Sequence, residues 1–278
     1  MSFKRLITPC ALLAATLSAG HPAHAASGWG LLNMPQGVSE LSHKIYSLHM
    51  LIFWICVVIG VVVFGIMIYS IATFRKSKGA IPDTKMVHNT KVEIVWTVIP
   101  VVILVAMAVP AARTLIEIED TRNTDLTIKV TGFQWGWQYE YLDHDVSFFS
   151  RLDRRSDEAR QLASGIDPNS IPNYLLSVDK PLVIPNARKV RLLITAVDVI
   201  HSWWVPAFGI KKDAIPGFMN EMWIRVDAGS TGFYRGQCVE LCGRDHGFMP
   251  IVVDVRNPDD FQNWLKTSAQ KPAVVAQR

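Results

Sequence analysis

The chain has 278 residues, is 50% hydrophobic and only 19% charged, and carries a formal charge of +4; ordinary soluble domains are roughly 25% charged. That apolar content excludes a disordered chain, four cysteines are too sparse for a disulfide scaffold, and 17 Gly with 15 Pro exclude a collagen-like repeat. A basic balance without a Lys/Arg-rich run gives no support for a nucleic-acid partner, which leaves a soluble enzyme or a membrane-anchored protein.

The first 26 residues read as a signal peptide. Lys4 and Arg5 make a positive start, Leu6 to Ala19 a short apolar run, and Ala23-His24-Ala25 a small-x-small cleavage site. A first membrane helix is opposed by Pro9, Gly20 and Pro22 and by the shortness of the run. Cys10 follows Pro9, which does not fit a lipoprotein site, so it is expected to be discarded with the peptide. Residues 27–115 then form a transmembrane hairpin. Ile45 to Phe74 is 30 residues without Lys, Arg, Asp or Glu, and Ile94 to Ala112 is 19; a spanning helix needs about 20. Helices are expected over about 46–74 and 93–113. Pro100 and Pro110 are tolerated where neighbours satisfy the freed carbonyls. The loop 75–91 carries Arg75, Lys76, Lys78, Lys85 and Lys91 against Asp83, a net of +4. Positive loops stay in the cytoplasm, so both ends of the hairpin point outward. Trp54 and Trp96 are candidates for the interface, and Cys56 reads as packing.

Residues 116–268 change character. Leu126, Ile128 and Val130 alternate with polar residues, as do Val190, Leu192 and Ile194, then Met222, Ile224 and Val226, then Ile251, Val253 and Val255. Turn-forming clusters separate them, which predicts an all-β sandwich or barrel. Residues 150–172 are polar and read as an inserted loop with helical character around Asp157–Ala163. A closing helix is predicted from Pro258 to about Ser268, with Asn257 as cap, Pro258 at its first position and Asp259 and Asp260 favoured by the dipole. Residues 269–278 read as a loose tail.

The chemistry concentrates between Cys238 and Met249. A thiolate, an imidazole and a thioether at Cys242, His246 and Met249 are soft ligands that favour copper. A blue-copper site needs one more His from a neighbouring strand, and His201 ends the Val190–Val199 strand. Cys238 adds a second thiolate, so two sulfurs can bridge two coppers, with Met249 and the Glu240 carbonyl as weak outer ligands. Two cysteines in an oxidising compartment alone more often make a disulfide. Zinc is disfavoured by the Met and by the spacing.

These residues carry a family resemblance. Gly236-Gln-Cys-Val-Glu-Leu-Cys-Gly-Arg-Asp-His-Gly-Phe-Met-Pro250 resembles the copper loop of cytochrome c oxidase subunit II. So do Asp198-Val-Ile-His-Ser-Trp-Trp-Val-Pro206, Asp213-Ala-Ile-Pro-Gly217, the aromatic run Gln134-Trp-Gly-Trp-Gln-Tyr-Glu-Tyr141 and Glu93-x-x-Trp96. The resemblance runs from about Ser27 to Leu265 and is nearest the bacterial form. It implies a cupredoxin-like domain with a binuclear CuA centre. His201, Cys238, Cys242 and Met249 would hold one copper; Cys238, Cys242, His246 and the Glu240 carbonyl would hold the other. It further implies cytochrome c as donor, haem only in subunit I where O2 is reduced, subunits I and III as partners, and a Mg or Mn ion shared through Glu240 with subunit I. The place implied is the bacterial inner membrane with the β domain periplasmic.

Trp135 matches the exposed tryptophan through which electrons arrive, although such an aromatic is otherwise a core or edge-strand residue. Phe133 and Gly136 depart from the usual His and Tyr, leaving a smaller aromatic surface. Glu140, Asp143 and Asp145 are candidate acidic contacts for a basic cytochrome. Glu93 matches a carboxylate at the mouth of a proton pathway, and an acid in a first helical turn is also favoured by the dipole alone. Glu240 is otherwise a solvated loop acid.

Rival readings differ in definite residues. A quinol oxidase subunit II lacks the copper ligands, whereas every ligand position here is filled. A membrane-anchored mononuclear cupredoxin or copper carrier would need neither oxidase-facing helices nor the Glu240 metal site. Nitrous oxide reductase is much longer and lacks the hairpin, and the chain contains no Cys-x-x-Cys-His for covalent haem. The positive charge belongs to the signal peptide and the hairpin loop. From Arg113 to Arg278 there are 20 basic and 21 acidic residues, so any docking patch on the β domain is local.

Overall fold

The computed structural model of the chain describes residues 32–81 and 88–269. The expected signal peptide with Cys10, the loop residues Asp83 and Lys85, and residues 270–278 lie outside the described residues. The chain divides into a unit ending at Pro35 and a second from Gln36 onward, and the second holds every α-helix and strand described.

Helix α1 spans Glu40–Thr73 and α2 spans Thr90–Glu119. Each begins where a side chain satisfies the first backbone donors. Ser39 accepts from Ser42 N while the Ser42 hydroxyl accepts from Ser39 N, a reciprocal capping box; Asn89 accepts from Val92 N. Both helices therefore reach beyond the uncharged stretches. At 1.5 Å per residue, the 34 residues of α1 make about 51 Å, against roughly 30 Å of bilayer hydrocarbon. Pro100 and Pro110 lie inside α2, which runs on past both. The middles of both helices expose Val61, Ile68, Ile99 and Leu104, and both helices are long and apolar enough to cross a membrane.

The β domain is two five-stranded sheets. One contains β1 (Leu126–Phe133), β2 (Gly136–Tyr141), β3 (Val146–Ser150), β5 (Val190–Ala196) and β8 (Asn220–Ile224), in the order β3-β2-β1-β5-β8. The other contains β4 (Leu182–Pro185), β6 (His201–Trp204), β7 (Lys211–Ala214), β9 (Gly232–Cys238) and β10 (Pro250–Arg256), in the order β4-β10-β9-β6-β7. The expected sandwich is thus the observed fold. Alternate residues of β5 are buried, Val190, Leu192 and Ile194 among them, as period-2 side-chain geometry demands. They pack with Ile128, Val130, Trp137 and Tyr139 against Leu182, Ile184, Trp203, Ile251 and Val253 of the facing sheet. The pairings β1–β5 and β4–β10 are parallel and the others antiparallel.

Tyr141 of β2 fastens one sheet to the other. Its buried hydroxyl donates to Val183 O at 2.7 Å and accepts from Val183 N at 3.0 Å. Tyr141→Phe leaves both backbone groups of Val183 without that partner in a dry core, so it is expected to cost about 1–3 kcal/mol. Thermal unfolding of the variant measures this, and an unchanged midpoint would show that β4 has another partner.

Helix α3 occupies Arg154–Ala159, three residues earlier than the sequence suggested, because Asp153 accepts from Ser156 N and fixes the start. Helix α4 spans Pro258–Ala269 and buries Phe261 and Leu265. Asn257 stands at its head through its backbone, the carbonyl accepting from Phe261 N. Its side chain does not cap but donates to Asp260. The hairpin docks on the β8 end of the first sheet. The Ser39 hydroxyl donates to Phe208 O at 2.8 Å, Arg225 pairs with Glu40 at 2.9 Å, and the Trp223 indole donates to Glu117 O at 3.1 Å.

Candidate metal centre

The site is made at one end of the second sheet. Cys238 is the last residue of β9 and Met249 immediately precedes β10, so antiparallel β9–β10 pairing, with Pro250 opposite Gln237, closes the loop that carries Cys242 and His246. A single 3-10 turn at His246–Phe248 shapes the loop's end. Strand β6 pairs with β9 at Trp203↔Cys238 and delivers His201, its first residue, from the other side. Two glycines permit this approach. A Cβ at Gly132 of β1 would lie 3.0 Å from the His201 ring, and one at Gly236 would lie 2.0 Å from Trp204 O.

Five side chains converge. Cys238 Sγ is 4.0 Å from His201 Nδ1 and 3.9 Å from Cys242 Sγ, and it is 3.4 Å from the Glu240 carbonyl oxygen. Cys242 Sγ is 3.5 Å from His246 Nδ1 and 3.4 Å from Met249 Sδ. A disulfide requires about 2.05 Å between sulfurs, so both cysteines are free thiols. The ligand atoms of His201, Cys238 and Cys242 lie within 4.8 Å of one another, and all three residues are buried.

The surroundings bias the site toward a soft cation. Asp198 Oδ1 lies 2.9 Å from His201 Nε2. Burial works against its charge, yet hydrogen bonds from His201, Val199 N and Gln134 N hold its carboxyl below the ordinary range. An ionised carboxylate can only accept, so Asp198 accepts from Nε2–H and fixes the ring with Nδ1 facing the sulfurs, the usual outer-layer arrangement of a metal-bound histidine. Burial also opposes ionisation of Cys238, but hydrogen bonds from His201 and nearby backbone hold its thiol below the ordinary value. Cys242 is pushed up to about 12 by burial and then by the neighbouring Cys238 charge. Of the two thiols, the surroundings favour ionisation of Cys238 over Cys242. Two thiolates, two imidazoles, a thioether and a carbonyl are a donor set that fits copper, and the thioether is a poor ligand for zinc.

Residues 126–256 match the family described as "Cytochrome C oxidase subunit II, periplasmic domain" and residues 26–113 match its transmembrane domain. The chain belongs to the cytochrome c oxidase subunit II family. It is 42% identical over 246 residues to a probable cytochrome c oxidase subunit 2 of Rickettsia conorii, covering 86% of this chain and 74% of that protein. It is 34% identical over 286 residues to cytochrome c oxidase subunit 2 of Cereibacter sphaeroides, covering 96% and 92%. Among solved structures it is similar to the periplasmic domain of subunit II of cytochrome oxidase of Bradyrhizobium japonicum, at 41% identity over 53% of this chain and 96% of that one, with a TM-score of 0.44. Family and helices together make this a membrane protein with a C-terminal domain outside the bilayer.

The remaining family positions fall at three distances from the thiols. Trp135 sits in the β1–β2 turn, half-buried, and its indole donates to the Cys242 carbonyl at 3.3 Å. Gln134 Nε2 donates to the same oxygen at 2.8 Å, and the Arg244 guanidinium lies 5.5 Å from the Trp135 ring. The Glu240 side chain is exposed, with only its carbonyl turned toward Cys238. Glu93 lies apart from the site, in the first turn of α2, paired with His88 at 2.7 Å. Of the candidate acids, Glu140 is engaged by Lys129 at 2.8 Å and Asp143 accepts from Thr127 N. Phe133 stacks edge-on with Phe149 under Arg151, and a Cβ at Gly136 would meet the Phe133 ring at 2.7 Å, so the two departures from the family pattern fit one another. Asp198, Gln134, Gly132 and Gly236 escaped the sequence reading as site residues. Their roles are contacts across strands, and only the spacing of Asp198 three residues before His201 offered a signal.

Proposed function

We propose that this chain is the electron-accepting subunit of a cytochrome c oxidase, taking electrons from a cytochrome c and passing them to haem in subunit I, where O2 is reduced and protons are pumped. The observation that carries the reading is the pair of buried, unbonded thiols 3.9 Å apart with an imidazole nitrogen beside each. His201, Cys238, Cys242 and Met249 would hold one copper; Cys238, Cys242, His246 and the Glu240 carbonyl would hold the other. Bound there, the copper pair supplies one-electron acceptance and donation with the charge change spread over two metals. The protein's part is rigidity and water exclusion. Cys238 and Cys242 are 5% and 2% exposed and His201 is fully buried, and strands on both sides fix them, so little has to move when charge changes. Trp135 presents an aromatic edge at the surface, one hydrogen bond from the Cys242 backbone, and supplies the path from the donor.

The exposed Glu240 carboxylate is free to complete a Mg or Mn site with subunit I, since hard cations take oxygen ligands. Glu93 would open a proton pathway at the cytoplasmic start of α2. The positive loop 75–91 supports a cytoplasmic loop and an outward β domain; in a bacterial inner membrane that domain would be periplasmic, residues 1–26 would be removed, and subunits I and III would flank the helices. The test is copper loading of the reduced full-length chain in detergent. Two coppers per chain with a valence-delocalised EPR spectrum are expected. A single copper with a mononuclear blue signal would make it a cupredoxin or copper carrier, and no uptake would leave only the copper-less quinol oxidase type.

A further inference from the structure

Residues between β3 and β4 leave the sandwich and return to it without adding to either sheet. The excursion is nonetheless built as a fixed body. Its neck is closed by a bridge between Leu152 and Val178 and by hydrogen bonds Asp153 N to Ser177 O (2.9 Å) and Asp179 N to Arg151 O (3.0 Å). Inside it Ser156, Ala159 and Ile171 are buried, and the Ser156 hydroxyl accepts from Leu175 N at 3.3 Å. Arg235, three residues before Cys238 on β9, donates to Leu176 O and pins the returning limb.

One side chain of this body reaches the copper loop. Arg160 follows α3 and is only 21% exposed. It is oriented within its own segment by Asp157 at 2.7 Å. From there its guanidinium pairs with Asp245 at 3.6 Å and lies over the Phe248 ring at 4.4 Å. Asp245 and Phe248 are the residues one before and two after His246. The 3-10 turn they frame is held by its backbone bonds His246 N to Gly243 O (3.2 Å) and Phe248 N to Asp245 O (2.9 Å) and has no side-chain cap of its own, with Asp245 also meeting Arg244 at 3.3 Å, so Arg160 adds a restraint from outside the loop. A planar guanidinium that pairs with a carboxylate at its edge and stacks on a ring with its face restrains both flanks at once.

We infer that Arg160 is a positioning residue for His246, and that the excursion exists to present it. Held from outside the sandwich, the imidazole keeps its place beside Cys242 whether or not a ligand draws it there. The inference rests on the copper reading of the site, and the experiment separates the two. In the full-length chain in detergent, two quantities are read for the unaltered protein, Arg160→Ala and Arg160→Lys: the rate of copper loss to a chelator from the loaded site, and backbone hydrogen exchange of residues 243–249 in the copper-free state. Outer-layer support typically changes metal affinity 10–100-fold. Arg160→Ala is therefore expected to lose copper roughly tenfold faster and to exchange faster across 243–249, with β1, β5 and β10 unchanged. Arg160→Lys keeps the charge but not the flat stack and should fall between. Equal copper loss and equal loop exchange in Arg160→Ala would overturn the inference, as would faster exchange spread evenly through both sheets. Failure of the unaltered chain to take up copper would sink the copper reading instead, while the exchange comparison would still decide whether Arg160 holds the loop.

Discussion

Cys238→Ser is expected to reduce copper binding from two ions per chain to at most one and to abolish the valence-delocalised EPR signal. Cys238 Sγ faces His201 Nδ1, Cys242 Sγ and the Glu240 carbonyl together. It is also the thiol whose surroundings favour the thiolate. A serine hydroxyl is nearly the same size but stays protonated and is a hard oxygen, so a soft donor that would hold both coppers is lost while the packing is kept. The remaining set of one thiolate, two imidazoles and a thioether suits a mononuclear site. Affinity for the second copper should fall by more than about 100-fold, beyond the 10–100-fold seen for outer-layer changes. Copper content by elemental analysis and EPR of the loaded full-length chain read this directly. Thermal unfolding of the copper-free variant should stay close to that of the unaltered chain. Retention of two coppers would show that Cys242 alone suffices and would overturn the bridging assignment.

What could be read before the structure was whatever the chain states locally. The uncharged stretches announce two long helices, and the alternation in Val190, Leu192 and Ile194 announces a half-buried strand, because hydrophobic period is imposed by local geometry. Pro258 and the two aspartates announce α4. Where helices start was less visible. Ser39 caps α1 with Ser42 at its third position rather than the Glu or Gln of the usual pattern, and Asp153 sets α3 three residues upstream of the stretch that looked helical. The parallel pairings β1–β5 and β4–β10 were invisible, since alternation fixes which face a residue takes but not which strand lies alongside.

The site divides the same way. Cys238, Cys242, His246 and Met249 share one loop, so their soft-ligand character could be summed from adjacent letters; His201 reads in the sequence as the end of the Val190–Val199 strand, but β5 stops at Ala196 and His201 instead opens β6 in the other sheet. The residues that make those ligands usable act from a distance in sequence. Asp198 selects the His201 nitrogen, Gln134 and Trp135 hold the Cys242 carbonyl, and Arg160 reaches the loop from an excursion that reads as polar filler. Electrostatics closes the account. Burial and neighbouring charge split the two thiols, one held low and the other pushed up to about 12, which a motif alone does not state.

Gly236→Ala is expected to be the most damaging single-methyl change in the β domain. Gly236 lies on β9 opposite Ile251 of β10, at the point where β9 crosses the chain leaving β6. Its added Cβ would stand 2.0 Å from Trp204 O, 2.8 Å from Val205 Cγ2 and 2.9 Å from Trp204 C. Two of these three obstacles are backbone, so no rotamer change relieves them, and β6 has to move away from β9. The pairing at stake, Trp203↔Cys238 and Trp204↔Gln237, is what sets His201 against Cys238. Overpacking of this kind costs about 1–3 kcal/mol and occasionally more; with a backbone obstacle at this distance about 3 kcal/mol or above is expected, on the order of 10 °C in Tm for a domain of this size. Copper retention should fall with it, because the two strands that carry the proposed ligands separate. Gly247→Ala is the control: it lies inside the same copper loop, but its Cβ would meet nothing within 4 Å, and its stability should change by less than about 0.5 kcal/mol. Equal unfolding temperatures for the two variants would mean that β6 and β9 do not need their close crossing, and the geometric account of how the sheet assembles the metal centre would fail with it.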